Sequence, residues 1–231
     1  MAKELRVRCT LLEENLGTAS NNPEIHSEFI ASKAQDAKSR EEEIAAIGVD
    51  AEIEKGMTVF PRNKDGNPLM WDYQIKGFFK ESCGARRKDT GSKSAKIKSY
   101  KKQIDLSIFI AEREIPFRFS GEIGSCQRPL RAQTAQGERI SLANSETISA
   151  GAELEFSVVT LIDSDMSAVR EWLDYGALHG FGCWRNSSKG RFVWEELQER
   201  EVDPKQVRQL LLESYKKKPE LEGVFNRLGY T

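Results

Sequence analysis

Between Tyr175 and Trp194 the chain reads YGALHGFGCWRNSSKGRFVW, in which glycines at 176, 180, 182 and 190 are interleaved with Arg185, Lys189 and Arg191. The same stretch offers the aromatic faces of Trp184, Phe192 and Trp194. Glycine permits positive φ and close approach of a ligand, cationic side chains neutralise anions, and indole rings stack. That combination suits a sugar-phosphate chain. It also suits an ordinary glycine-punctuated turn between a helix and a strand. A second concentration of charge, RRKDTGSKSAKIKSYKK from Arg86 to Lys102, reads either as a solvated face or as an electrostatic track, with Arg86, Arg87, Lys96 and Lys98 as phosphate contacts.

Acid–base chemistry has few candidates. His26 and His179 are the two histidines, either of which has the titration range for proton transfer from a ribose 2′-hydroxyl, and either of which also suits a polar surface. A histidine-rich metal site is excluded. Cys9, Cys83, Cys126 and Cys183 lie far apart, which predicts reduced packing residues and not a zinc or dithiol site. No Walker loop, nucleophile elbow or dinucleotide fingerprint is present, so no cofactor is expected.

The elements that must position these residues follow from periodicity. Residues 3–12 alternate as a strand, with Leu5, Val7 and Cys9 on one face and Arg6 and Arg8 on the other. Turn-forming residues 14–24 lead into an expected helix from Ser27 to Ile47. A short strand at Met57–Phe60 precedes a turn and a helix from Tyr73 onward. The basic stretch that follows is expected to be a mobile loop or extended hairpin. Strands are expected at Gln103–Ala111 and Ile115–Phe119, then, after a polar connection, at Arg139–Leu142 and Glu153–Ile162. Met166–Leu178 reads as an amphipathic helix, Arg191–Trp194 as a strand, and Pro204 opens a C-terminal helix.

Three separated segments resemble the RAMP superfamily, the RNA-binding proteins that build the backbone of CRISPR effector complexes and include some guide-processing ribonucleases. In the first, WDYQIKGFFKESCGARR, the matching positions are Gln74, Ile75, Lys76, Gly77 and Arg86, with Trp71, Asp72 and Tyr73 replacing the usual Pro-Gly-Ser. The second is SETISAGAELEFSVVTL, centred on Gly151. The third is the glycine-rich loop, carried by Leu178, Gly180, Gly182, Lys189, Gly190 and Phe192, with a longer and more aromatic centre at Cys183–Ser188. The resemblance implies an α+β, ferredoxin-like or RNA-recognition-motif core in βαββαβ order. It further implies RNA held through the glycine loop and the turn before the Lys-Gly helix, with Lys76, Arg185, Lys189 and Arg191 on phosphates and Trp184 or Tyr73 stacking on a base. His26 lies near where some family nucleases place an acid or base, and Asp36 could imitate an acidic residue used in target cleavage.

The 231 residues carry 31% charge but a net charge of only −1, so a nucleic-acid footprint requires segregated charge, not global basicity. The organisation expected is a core over residues 1–197, with a basic loop insertion at about 86–102, and a helical extension over 198–231. The start of the chain enters a strand pattern at once and no long apolar run follows, which predicts a cytoplasmic protein without membrane association. The expected function is non-enzymatic binding of single-stranded RNA or another nucleic acid, with possible protein partners in a CRISPR-type or phage ribonucleoprotein. The alternatives are a metal-independent endoribonuclease using His26 or His179, and a phage-type inhibitor acting through protein contacts.

Overall fold

The computed structural model describes residues 2–20, 56–134, 137–216 and 221–227. The helix expected at Ser27 to Ile47, His26 and Asp36 lie outside these.

Strand β1 (Ala2–Leu11) buries Leu5, Val7, Cys9 and Leu11 on one side, the alternation its sequence predicts. It is an interior strand of the main sheet. Antiparallel to it on one flank runs β10 (Glu153–Thr160), and on the other β11 (Phe192–Val202). Beyond β10 lie β6 (Ile108–Ile110) and β7 (Glu114–Arg118), which pair with opposite ends of the same strand. β6 and β7 are one strand position interrupted at residues 111–113. There the Glu112 carboxylate accepts the Ser157 backbone N–H at 2.7 Å, replacing a missing ladder bond. β5 (Leu69–Trp71) extends the sheet by pairing with β7.

Helix α1 (Asp72–Arg86) fills the first crossover and α3 (Asp163–Asp174) the second. In α1 the buried residues Ile75, Phe78, Phe79, Ser82 and Cys83 recur at three- and four-residue spacing, the stripe an amphipathic helix needs. Its first turn is closed by Gln74, whose Oε1 accepts the Trp71 N–H at 2.8 Å. In α3, Met166, Val169, Trp172 and Leu173 face the same layer, and the Trp172 indole N–H donates to Ser94 Oγ at 2.9 Å. Taken as β1–α1–β6/β7–β10–α3–β11, with β11 and β6/β7 on either side of the β1–β10 pair, the core is an α+β, ferredoxin-like βαββαβ arrangement. Burial of each large apolar side chain in this layer contributes about 1.5–3 kcal/mol.

A second sheet collects β2 (Asn15–Leu16), β3 (Ala19–Ser20) and β4 (Thr58–Val59) around a long hairpin, β8 (Gly124–Thr134) and β9 (Gly137–Ile148). Only Arg139–Leu142 of this hairpin was expected; polar residues dominate its strands, so alternation does not announce them.

Four other expectations are corrected. Residues 103–107 are helical, within α2 (Tyr100–Ser107), and not strand. Gln103 and Ser107, one helical turn apart, both bond the Asp165 carboxylate, at 2.7 and 2.8 Å, a tertiary contact that overrides the apolar alternation. The basic stretch is not a mobile loop: Ser92, Ser94 and Ile97 are buried, and Glu171 of α3 accepts the Lys93 N–H at 2.7 Å and the Ser94 hydroxyl at 2.6 Å. Helix α3 ends at Asp174, leaving Leu178 exposed, because Gly176 turns the chain directly against the Phe192 ring. Finally, the strand expected at Arg191–Trp194 is longer: β11 runs from Phe192 to Val202. Its charged outer half is held on both faces, Glu195 by Arg8 and Glu196 by Arg170.

α4 (Pro204–Lys216) then crosses the open face of the sheet, and α5 (Glu222–Arg227) follows it. Val207 packs with Ala2, Val159 and Val202, joined by Phe109, Leu210 and Leu211. Since Val158 belongs to the main core and Val159 to this cluster, α4 lies opposite α1 and α3. No helix among the described residues is long and apolar enough to cross a membrane.

Candidate nucleic-acid interface

The glycine loop is built by backbone packing. A Cβ on Gly180 would sit 1.9 Å from the Gly190 carbonyl carbon, and one on Gly190 only 2.1 Å from the Phe181 oxygen. Phe181 donates its N–H to the Gly190 carbonyl at 2.9 Å, and its ring stacks on Phe192 with centroids 4.1 Å apart. Gly182, at φ 75°, lies against the buried Asn15 side chain of β2. These glycines are thus required by the protein itself. Their spacing signals a tight double turn, which explains the pattern without a ligand.

Most of the loop's cations are also engaged. Lys189 meets Glu14 at 2.5 Å, which raises its pKa above the ordinary lysine value. Arg185 pairs with Glu81 of α1, the same carboxylate that lies 3.3 Å from His179 Nε2. Arg191 is held by its backbone carbonyl, which accepts the Leu12 N–H at 2.7 Å, while its Nε is buried without a hydrogen-bond partner among the described residues. Trp184 stays 39% exposed, with the Arg128 guanidinium 5.2 Å from its ring centroid.

Lys76 is turned toward α2. Its ammonium donates to the Asp105 carbonyl at 3.2 Å and lies over the Phe109 ring, and burial lowers its pKa. Arg86 lies 3.3 Å from Asp89 and 3.9 Å from Glu171. Tyr73 is exposed, with Arg113 stacked on it, and Arg113 also pairs with Asp72 in the first turn of α1.

The ordered basic segment has the opposite character. Arg87 lies over the Tyr100 ring, and Lys88, Lys93, Lys96, Lys98, Lys101 and Lys102 are exposed; none of the seven forms an ion pair with an acid among the described residues. The segment ends beside a shallow groove bounded by α1, α2 and the glycine loop. Gly77, Gly84 and Ala85 leave one side of α1 low there; around it stand Lys101, His179, Tyr100 and Tyr175, together with Lys80, paired with Asp105 at 2.6 Å, and Arg185 with its partner Glu81. Gly77 is notable because a Cβ added to it would meet nothing within 4 Å, so protein packing does not ask for glycine in this helix interior.

Thus the fold brings Arg185 and His179 to one groove and gathers Arg87, Lys96 and Lys98 on the adjoining surface. Lys76, Arg86, Lys189, Gly180 and Gly182 are committed to protein contacts, and Arg191 is anchored through its backbone carbonyl. Sequence reasoning missed Lys80, Lys101, Glu81, Tyr100 and Tyr175. Spacing offered one usable signal, since Gly77, Lys80, Glu81 and Gly84 recur at helical intervals on one side of α1.

The open face of the sheet is neutralised. Glu155, only 9% exposed, is reached by Arg8 at 2.8 Å, Arg118 at 2.7 Å and Arg6 at 3.2 Å; hydrogen bonding from Arg8 holds its carboxyl below the usual range. Arg200 meets Glu4 at 2.6 Å. No group of three or more His, Cys, Asp or Glu among the described residues is arranged to hold a metal.

No family model matches the chain, and no curated protein matches it. Among solved structures, the chain is similar to one in the cryo-EM structure of the Type III-B Cmr-beta bound to cognate target RNA, at 10% identity and a TM-score of 0.48. The alignment covers 86% of this chain and 60% of that one.

Proposed function

We propose that this protein is a RAMP-like, non-enzymatic binder of single-stranded RNA that holds the phosphate backbone on its helical face. The strand lies in the groove between α1, α2 and the glycine loop, approached over the basic segment. The observation that carries this reading is the segregation of charge: cations of the sheet face are paired with acids, whereas Arg87, Lys88, Lys93, Lys96, Lys98, Lys101 and Lys102 have no acidic partner among the described residues. In a chain of net charge −1, such a surface is a local attractor for a polyanion. The unfilled space at Gly77 supports close approach of a ligand backbone. The three-segment sequence resemblance supports RNA as the polyanion, within a ribonucleoprotein of several subunits.

A titration of labelled single-stranded RNA, repeated over increasing salt, tests the reading. Affinity should fall linearly on a log–log plot. The quadruple variant K96Q/K98Q/K101Q/K102Q should bind more weakly, its slope shallower by about 0.7 for every phosphate that is no longer neutralised. Absent binding at low salt, or equal slopes for both proteins, would overturn it. Single-stranded DNA of the same sequence serves as a second arm, since RNA selectivity requires recognition of the 2′-hydroxyl.

One observation favours a second reading: His179 shares the groove with Lys101 and Tyr175 and has the Glu81 carboxylate 3.3 Å from its Nε2, an acid–base group beside a cation and a proton acceptor. Metal-free incubation that yields RNA fragments, with cleavage abolished in His179→Ala, would establish an endoribonuclease in place of a simple binder.

A further inference from the structure

Resting on that RNA-binding reading, we propose that Trp184 and Arg128 form a nucleobase-stacking subsite at the hairpin side of the groove. Trp184 sits at φ 58° and ψ 35°, the left-handed region, where a bulky side chain is a genuine outlier. The backbone around it is over-determined. Gly182 at 75°, Ser188 at 65° and Gly190 at 70° share the same region, and the Ser187 and Ser188 N–H groups donate to the Trp184 and Arg185 carbonyls at 2.9 Å each. Strain of this kind persists where the surroundings enforce it, and it clusters at ligand contacts.

The ring held there is not core. Trp172 is fully buried with its N–H bonded to Ser94, and Trp194 donates to Asp174 at 2.8 Å. Trp184 has neither feature among the described residues: it is 39% exposed and its indole N–H has no hydrogen-bond partner. What it has is Arg128, delivered from β8 of the second sheet and oriented by a hydrogen bond of 3.0 Å to Ser145 Oγ, itself 2.7 Å from Thr58 Oγ1. Three separate parts of the chain therefore converge to hold a planar cation against a partly exposed indole. Trp184 also precedes Arg185, which lines the groove. A strand lying in that groove brings a nucleotide beside the ring, and every base has a π-face to stack on it. Flanking cations disfavour an apolar or cationic peptide as occupant.

The test compares three ligands: a single-stranded RNA, an abasic ribose-phosphate oligomer of equal length, and inorganic polyphosphate. Trp184→Gly should weaken RNA binding roughly 5- to 150-fold, the range that base–aromatic stacking commands. It should leave the abasic oligomer and polyphosphate unaffected, while Trp184→Phe restores most of the RNA affinity. Glycine accepts the left-handed backbone, so the glycine variant should melt no lower than the parent, whereas a tryptophan needed for packing would lower the melting temperature on truncation. Equal weakening for all three ligands, or unchanged RNA affinity, would overturn the subsite while leaving phosphate-backbone binding intact. A parent protein that binds none of the three overturns both readings.

Discussion

Glycine is used in two opposite ways in this protein, and the difference decides what substitution does. At Gly180 the missing Cβ makes room for the Gly190 backbone, which cannot move aside without undoing the loop. Gly180→Ala should therefore destabilise by about 3 kcal/mol or more. At Gly77 the missing Cβ leaves open space in a helix interior, a position where alanine is ordinarily preferred. Gly77→Ala should stabilise by roughly 0.5–1 kcal/mol and, if the groove holds a strand, weaken RNA binding. Urea unfolding paired with RNA titration checks both variants. A destabilised Gly77→Ala would mean that the glycine serves the fold.

Elements here are joined by side chains that stand in for backbone. The interruption between β6 and β7 is closed by Glu112, whose burial raises its pKa despite the N–H it accepts from Ser157. Since the folded pKa is the higher one, the unfolded chain loses this proton first as pH rises. Stability therefore falls through the window between the two values and stays lower above it. Glu112→Gln keeps an acceptor for Ser157 without the buried charge, so it should raise the urea midpoint at neutral pH and leave it unchanged well below the carboxylate range. A lowered midpoint at neutral pH would show that the ionised form is needed. The basic segment depends on the same device, with the Glu171 carboxylate turning a lysine-rich stretch into an ordered surface.

At the scale of the whole molecule, the two faces of the sheet are separate enterprises. The helical face carries the groove and the cations that have no acidic partner among the described residues; the open face carries an ionic lattice around Glu155 and the apolar seat of α4. Val207→Asp would bury a charge in that seat, where Val207 is 4% exposed, and should cost roughly 3 kcal/mol. RNA affinity of the folded fraction should not change, because the groove lies on the other side. Loss of RNA binding at a temperature where the variant remains folded would place the site on the open face instead.

The elements governed by local periodicity were legible: β1 by alternation, α1 and α3 by their apolar stripes, β10 by its run of large apolar residues, and α4 by Pro204 at its start. Together these determine the α+β class and leave the βαββαβ order as a natural reading. What the sequence could not settle is which cations remain available. Lys189 is neutralised by Glu14 across 175 residues of chain, and Arg8 by Glu155 across 147. Composition and spacing report charges, but pairing is a property of positions in space, and only folding brings those acids within reach. The aromatic centre of the glycine loop follows the same division. Sequence marks Trp184 as unusual, and the tertiary structure decides that Arg128 is its partner.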